Sequence, residues 1–300
     1  MNLAPIRYAR ILTGGSGPVE RIEYGRLEVL GRPMFQATAQ LSGHLNLRRA
    51  GTRIFGEADG TGTHWSGMVA RHKAVSEALE RWAYQYMDQS GQAPLYGGEH
   101  DPTTSGMAAY PGLFKGSARR LAMREAIERH CLADWWCGKL GSTMVRTRVE
   151  GTEGIAIENP LSRDRVVVVW RQAEQGFYGY GFACRRRTRD AIWDAVVEME
   201  RSIAALKGFY RKNPGIEAED MDVLENYMER RMFYYSLPEG HREFRERIGS
   251  GTDGGEKRGP VPVFDRELKG PWGKYATVWR VIFPTARRDH LIPQRMVFFW

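Results

Sequence analysis

Cysteine is scarce in this chain. Its 300 residues hold three, Cys131, Cys137 and Cys184, an odd number without C-x-x-C spacing, so the sequence suggests neither a disulfide framework nor a zinc site and leaves buried thiols. Long apolar runs are missing as well. No window approaches the ~20 apolar residues of a membrane span, and MNLAPIRYARILTGGSGP carries Arg7 and Arg10 but no run of signal-peptide length. A cytoplasmic protein without a membrane partner is the working expectation. The familiar nucleotide motifs are absent too: GxxxxGK[ST] does not occur, and GTGTHWSG lacks GxGxxG spacing. No serine or cysteine sits in a motif that would make a hydrolytic triad with one of the seven histidines. His64, His72 and His130 are read as structural, and no catalytic residue is singled out.

What is present is a globular composition, 42% hydrophobic and 27% charged, on a chain long enough for one large domain or two intimate ones. A net charge of +8 admits an anionic partner, whether nucleotide, nucleic acid or acidic peptide. The densest basic run, RRRTR at 185–189, lacks interleaved aromatics and reads as a solvated surface rather than a nucleic-acid groove. GSGTDGGEKRGP at 249–260 reads as a flexible loop.

The most informative feature is a repeat. ARHKAVSEALER at 70–81 returns as ARRLAMREAIER at 118–129, with Glu-x-x-Glu-Arg at the same depth. Each follows a short glycine-bearing strand end or turn, GTGTH at 60–64 and SGMAA at 105–109. A third copy runs from YGFAC at 180–184 into RDAIWDAVVEMERS at 189–202, where Ala191, Ala195 and Glu198 repeat the spacing of Ala70, Ala74 and Glu77. Apolar spacing predicts helices over about 67–88, 117–137, 188–207 and 222–234, and β-branched runs predict strands at 33–40, 154–160, 166–170 and 276–283. The expected fold is α/β (α+β): pseudo-symmetric repeats of a Gly-rich strand or turn plus a long helix, packed on mixed sheets.

On the first helix Val75, Leu79, Trp82 and Tyr86 form one stripe, the core face, and Glu77 and Glu80 point away from it. A lone pair of acids in that position is usually a solvated face. Two copies facing one crevice would bring Glu77, Glu80, Glu125 and Glu128 together, and carboxylates that close cannot all stay ionised without cations. All-oxygen donors favour Mg²⁺, which usually completes its shell with substrate phosphates. Arg81 and Arg129 then either reach phosphates or make ion pairs along the helix.

These residues resemble the YcaO family. The resemblance rests on GTGTHWSGMVARHKAVSEALERW and TSGMAAYPGLFKGSARRLAMREAIERHCLADWW, with GYGFACRRRTRDAIWDAVVEMERS, YMERRMFYYSLPEG and VWRVIFP similar in order; it covers roughly residues 50–290 of a single domain over 1–300. It implies ATP and Mg²⁺ as cofactors, with Glu77, Glu80, Glu125 and Glu128 as metal carboxylates and Lys73, Arg81, Arg129, Glu198 and Arg201 around the nucleotide, Glu200 being a further candidate of the third unit. Enzymes of this kind phosphorylate a peptide backbone amide oxygen so that a nucleophile can replace it, giving azolines, thioamides or amidines in ribosomally made peptides. The partners implied are a peptide substrate and a leader-peptide-binding, E1-like or TfuA-like protein, with a homodimer also allowed.

Two other readings stay open. Lys73 and Leu121 stand where the family often has Ser and a polar residue such as Gln, the interval between the two acidic helices is short, and the proline-rich C-terminus of azoline-forming members is replaced by RMVFFW; the substitutions at Lys73 and Leu121 favour a non-catalytic YcaO-like scaffold that binds a peptide or subunit, and the four retained glutamates oppose it. A basic nucleic-acid-binding protein is the third, and it predicts binding that weakens steeply with salt.

Overall fold

The computed structural model describes residues 3–12, 17–45, 53–91, 93–249, 259–284 and 296–298. Most of the expected loop at 249–260 lies outside them. In chain order the helices and strands are α1 (Ala4–Arg7), β1 (Val19–Val29), β2 (Arg32–Leu41), β3 (Gly60–His64), α2 (Gly67–Gln89), β4 (Ser105–Tyr110), α3 (Lys115–Trp136), β5 (Ser142–Met144), β6 (Glu153–Ile157), β7 (Arg165–Gln172), β8 (Tyr178–Arg185), α4 (Thr188–Lys212), α5 (Tyr227–Ser236), α6 (Pro238–Arg247), β9 (Phe264–Leu268) and β10 (Thr277–Ile282). The expected α+β class holds, and every strand pairing among the described residues is antiparallel. Two compact units divide the chain. One holds 1–50, 57–126 and 262–284, the other 51–56, 127–261 and 285–300.

The first unit contains two three-stranded sheets, ordered β1-β2-β3 and β4-β10-β9. β1 and β2 form a hairpin through Leu30 and Gly31, both with positive φ (54° and 70°), the pair of left-handed residues that a two-residue turn between twisted strands requires. Along β2, Ala37, Ala39 and Leu41 are buried while Gln36, Thr38 and Gln40 keep part of their surface, the period of two expected when a helix covers one face. That helix is α2. Its buried side carries Ala70, Ala74, Val75, Ala78, Leu79, Trp82, Ala83 and Met87, including three members of the stripe read from sequence. The fourth, Tyr86, is partly buried and meets the rings of Tyr96 and Trp272 edge-on. Burying side chains the size of Leu79 contributes about 1.5–3 kcal/mol each before the entropy of ordering them is counted.

In the second unit β5-β6-β7-β8 form one antiparallel sheet. Val166, Val167, Val168 and Val169 of β7 are all completely buried, so this strand is covered on both faces and needs no polar alternation. An aromatic cluster packs there: the rings of Trp170 and Tyr180 each lie 5.0 Å from that of Phe244 on α6, and Phe298 joins them. All three cysteines are free thiols, with Cys131 and Cys184 buried.

Candidate functional site

The repeat seen in the sequence is a repeated crossing of helix over strand. A Cβ on Gly60 would strike the Ala74 carbonyl and the Ala78 amide of α2; on Gly106, the Ala122 carbonyl and Ala126 amide of α3; on Gly181, the Ala195 carbonyl and Met199 amide of α4. Glycine on the strand and alanine on the helix are what let the two backbones touch. One residue beyond each glycine, the strand's N–H donates to a glutamate one turn along the helix. Thr61 N–H reaches Glu77 Oε2 at 2.9 Å, Met107 N–H reaches Glu125 Oε2 at 2.9 Å, and Phe182 N–H makes a longer 3.4 Å contact with Glu198 Oε2. β3, β4 and β8 are each the last strand of their sheet. In all three repeats the acid therefore satisfies an amide on an edge with no neighbouring strand among the described residues.

The first unit adds to this shared frame. Glu80, one turn after Glu77, accepts the Ala109 N–H at 2.7 Å, so a single turn of α2 holds the edge of β3 through Glu77 and the edge of β4 through Glu80. Met107 and Ala109 are two residues apart and present their amides to the same side of β4. Glu125 and Glu80 thus sit next to each other along one strand edge. The consequence is electrostatic: burial, and then the Glu125 carboxylate, push the Glu80 carboxyl well above the ordinary range; the Ala109 amide opposes this, Glu77 adds to it, and Arg81 opposes it. A carboxyl raised by its acidic neighbours is stabilised by a cation placed among them. Backbone amides fix one oxygen of each acid, which pre-orients the group.

The remaining expected site residues divide by location. Lys73 is exposed on α2 and donates from Nζ to the Thr63 carbonyl at 3.3 Å, on the same edge of β3 as the Thr61 amide. Arg81 is exposed beside Glu80. Leu121, one turn before Glu125, is 41% exposed. Glu128, Arg129, Glu198 and Arg201 are all partly exposed and belong to the second unit, whereas Glu77, Glu80 and Glu125 belong to the first. Glu200 is buried and pairs with Arg171 at 2.9 Å. His64 accepts the Ser66 amide through Nδ1 at 3.0 Å, and His72 packs its ring edge-on to Tyr8, in keeping with structural histidines.

The sequence did not point to Tyr8, whose hydroxyl meets Ser76 Oγ at 2.8 Å from 68 residues away. Nor did it point to the strand amides that the acids hold. The glycine before each of those amides was the available signal.

The fold has parallels among solved structures. YcaO from Methanopyrus kandleri, solved with AMPPCP and Mg²⁺, matches over 99% of this chain and 93% of its own, with a TM-score of 0.55 at 12% identity. The fold is YcaO-like. A chain of the E. coli microcin synthetase McbBCD complex, solved with pro-MccB17 bound, matches this YcaO-like chain over 89% of its length and 87% of its own, with a TM-score of 0.55 at 11% identity. No protein-family model and no curated protein matches the sequence. No helix among the described residues is long and apolar enough to cross a membrane.

Proposed function

We propose that this chain binds ATP with Mg²⁺ and uses it to activate backbone amides of a peptide substrate. The observation that carries the reading is the placement of Glu80 and Glu125 on neighbouring amides of one strand edge, Ala109 and Met107, two oxygen donors of the kind a hard cation takes. Among the described residues no three His, Cys, Asp or Glu side chains form a ready-made metal cluster. Mg²⁺ needs no more than one or two carboxylates and fills its shell with substrate phosphates and water. Glu80 and Glu125 are the pair assigned to it, with Glu77 beside them; Lys73 and Arg81 are placed on the same helix to meet phosphate oxygens.

The chemistry stems from what an amide lacks. Its oxygen is a poor leaving group, and transfer of the γ-phosphoryl group makes it part of a good one: a nucleophile adds to the amide carbon and the former oxygen departs with phosphate. The residues named here bind, orient and balance charge, and bound Mg²⁺ supplies the neutralisation of phosphate charge. A Cys, Ser or Thr side chain as nucleophile gives an azoline, sulfide a thioamide and an amine an amidine, acting with a partner protein that reads the leader peptide. The solved YcaO with AMPPCP and Mg²⁺, and the microcin synthetase with its pro-peptide, support this reading by likeness of fold.

Calorimetric titration with ATP tests it. Saturable binding that requires Mg²⁺ is expected. Absence of binding at millimolar nucleotide would leave the non-catalytic scaffold as the better reading, and tight oligonucleotide binding that fades with salt would favour the third.

A further inference from the structure

The polar contact beneath the acidic turn of α2 comes from far away in the sequence. Tyr8 is completely buried, and its hydroxyl lies 2.8 Å from Ser76 Oγ. Ser76 precedes Glu77 and stands four residues before Glu80, on the same helical face as Glu80. Arg71 Nη2 donates to the Tyr8 carbonyl at 3.4 Å, the His72 ring meets Tyr8 edge-on at 5.9 Å, and Ala4 and Ile11 on either side are completely buried in the core that α2 shares. The Leu3–Leu12 segment is therefore bound along one and a half turns of α2, ending where the acids begin. Burial drives the Tyr8 hydroxyl far above its usual range; Ser76 opposes this, and the charge of Glu80 adds to it.

We propose that Tyr8 is a positioning residue, acting through Ser76 to hold the acidic turn of α2 in the orientation in which Glu80 grips the Ala109 amide. Its relevance to nucleotide binding rests on the function proposed above. The positioning itself does not, because the Ala109 amide reports it directly.

The experiment is amide hydrogen exchange read by NMR on the full chain, comparing wild type, Tyr8→Phe and Ser76→Ala, with the Met107 and Phe182 amides, held from α3 and α4, as internal references. Each substitution removes one hydroxyl and keeps the surrounding bulk. Expected is a selective acceleration at Ala109 of about three- to tenfold, the span of one net hydrogen bond, equal in the two variants and not increased in the double variant. Unchanged exchange at Ala109, or equal acceleration at all three amides, overturns the proposal, the second result meaning general loosening. Mg²⁺·ATP affinity is measured in parallel. Wild type that fails to bind refutes the proposed function and leaves the exchange result to decide the positioning role, while selective exchange with unchanged affinity overturns the link between them.

Discussion

The first and third repeats share a crossing and differ in the residues just beyond it. Both press a strand glycine onto a helix alanine and tie the next amide to a glutamate: Gly60, Ala74 and Glu77 in one, Gly181, Ala195 and Glu198 in the other. Three residues on, the first repeat has Glu80 and the third has Arg201. Glu80 takes the amide of a second sheet and is pushed up by burial and then by Glu125, whereas Glu200 in the third repeat is paired with Arg171. The lesson is that the first acid of each repeat caps a strand edge, and that Glu80, the added acid of α2, sets a second carboxylate beside one of those caps, Glu125. The sequence motif runs the two roles together.

The glycines give the largest expected effects on this comparison. Gly106→Ala and Gly181→Ala should each destabilise by about 1–3 kcal/mol or more, because the new Cβ meets helix backbone that has no rotamer to escape into. Thermal unfolding measures it. A loss confined to Gly106→Ala would mean that the crossing is not a common frame.

Next come the acids. Glu80→Gln should weaken Mg²⁺·ATP binding at least about tenfold, or 1.4 kcal/mol, with unchanged circular dichroism, while Glu198→Gln should act chiefly on stability. Equal effects of the two on binding would erase the distinction drawn between them.

pH separates the two units by sign. Glu80 is raised above its usual 4.5, so without divalent cations the folded state holds its proton more tightly than the unfolded one, and stability falls as pH rises from 4.5 through the folded value. His241 on α6, whose Nδ1 lies 2.6 Å from the Tyr180 hydroxyl and whose ring stacks on Tyr178, is lowered to about 4 by burial and by Arg245. Its contribution is present above 6.5 and is lost as pH falls from 6.5 towards 4. Chemical denaturation across this range should show Glu80→Gln removing the loss at high pH and His241→Phe the loss at low pH. The smallest effect belongs to Lys73→Met, which removes a long bond from an exposed side chain to the Thr63 carbonyl and should cost about 0.5–1.5 kcal/mol or less.

The long helices were legible because their apolar stripes are long: 67–88 became Gly67–Gln89 and 117–137 became Lys115–Trp136. The fourth was read over 222–234, while α5 starts at Tyr227, behind the N-cap of Asn226. β1 escaped because VERIEYGRLEV is an edge strand largely exposed, so its charges break any apolar run. β3 and β4 read only as strand ends or turns because of their glycines, which are there for close approach to a helix and not for bending. At the site, repetition disclosed Glu77, Glu80 and Glu125. It could not disclose that backbone amides hold them, nor that Tyr8 backs them, since both depend on pairing set by the fold.

One measurement tests the central claim, that Glu80 and its neighbours hold the cation of a bound nucleotide. Mg²⁺·ATP would be titrated calorimetrically, at a pH just above the ordinary carboxylate range, in two buffers of different ionisation enthalpy, with wild type and Glu80→Gln. A proton retained by Glu80 must leave when the cation arrives, so wild type should release protons on binding and the variant should not. Mg²⁺-independent binding, or the same proton count in both proteins, would contradict it.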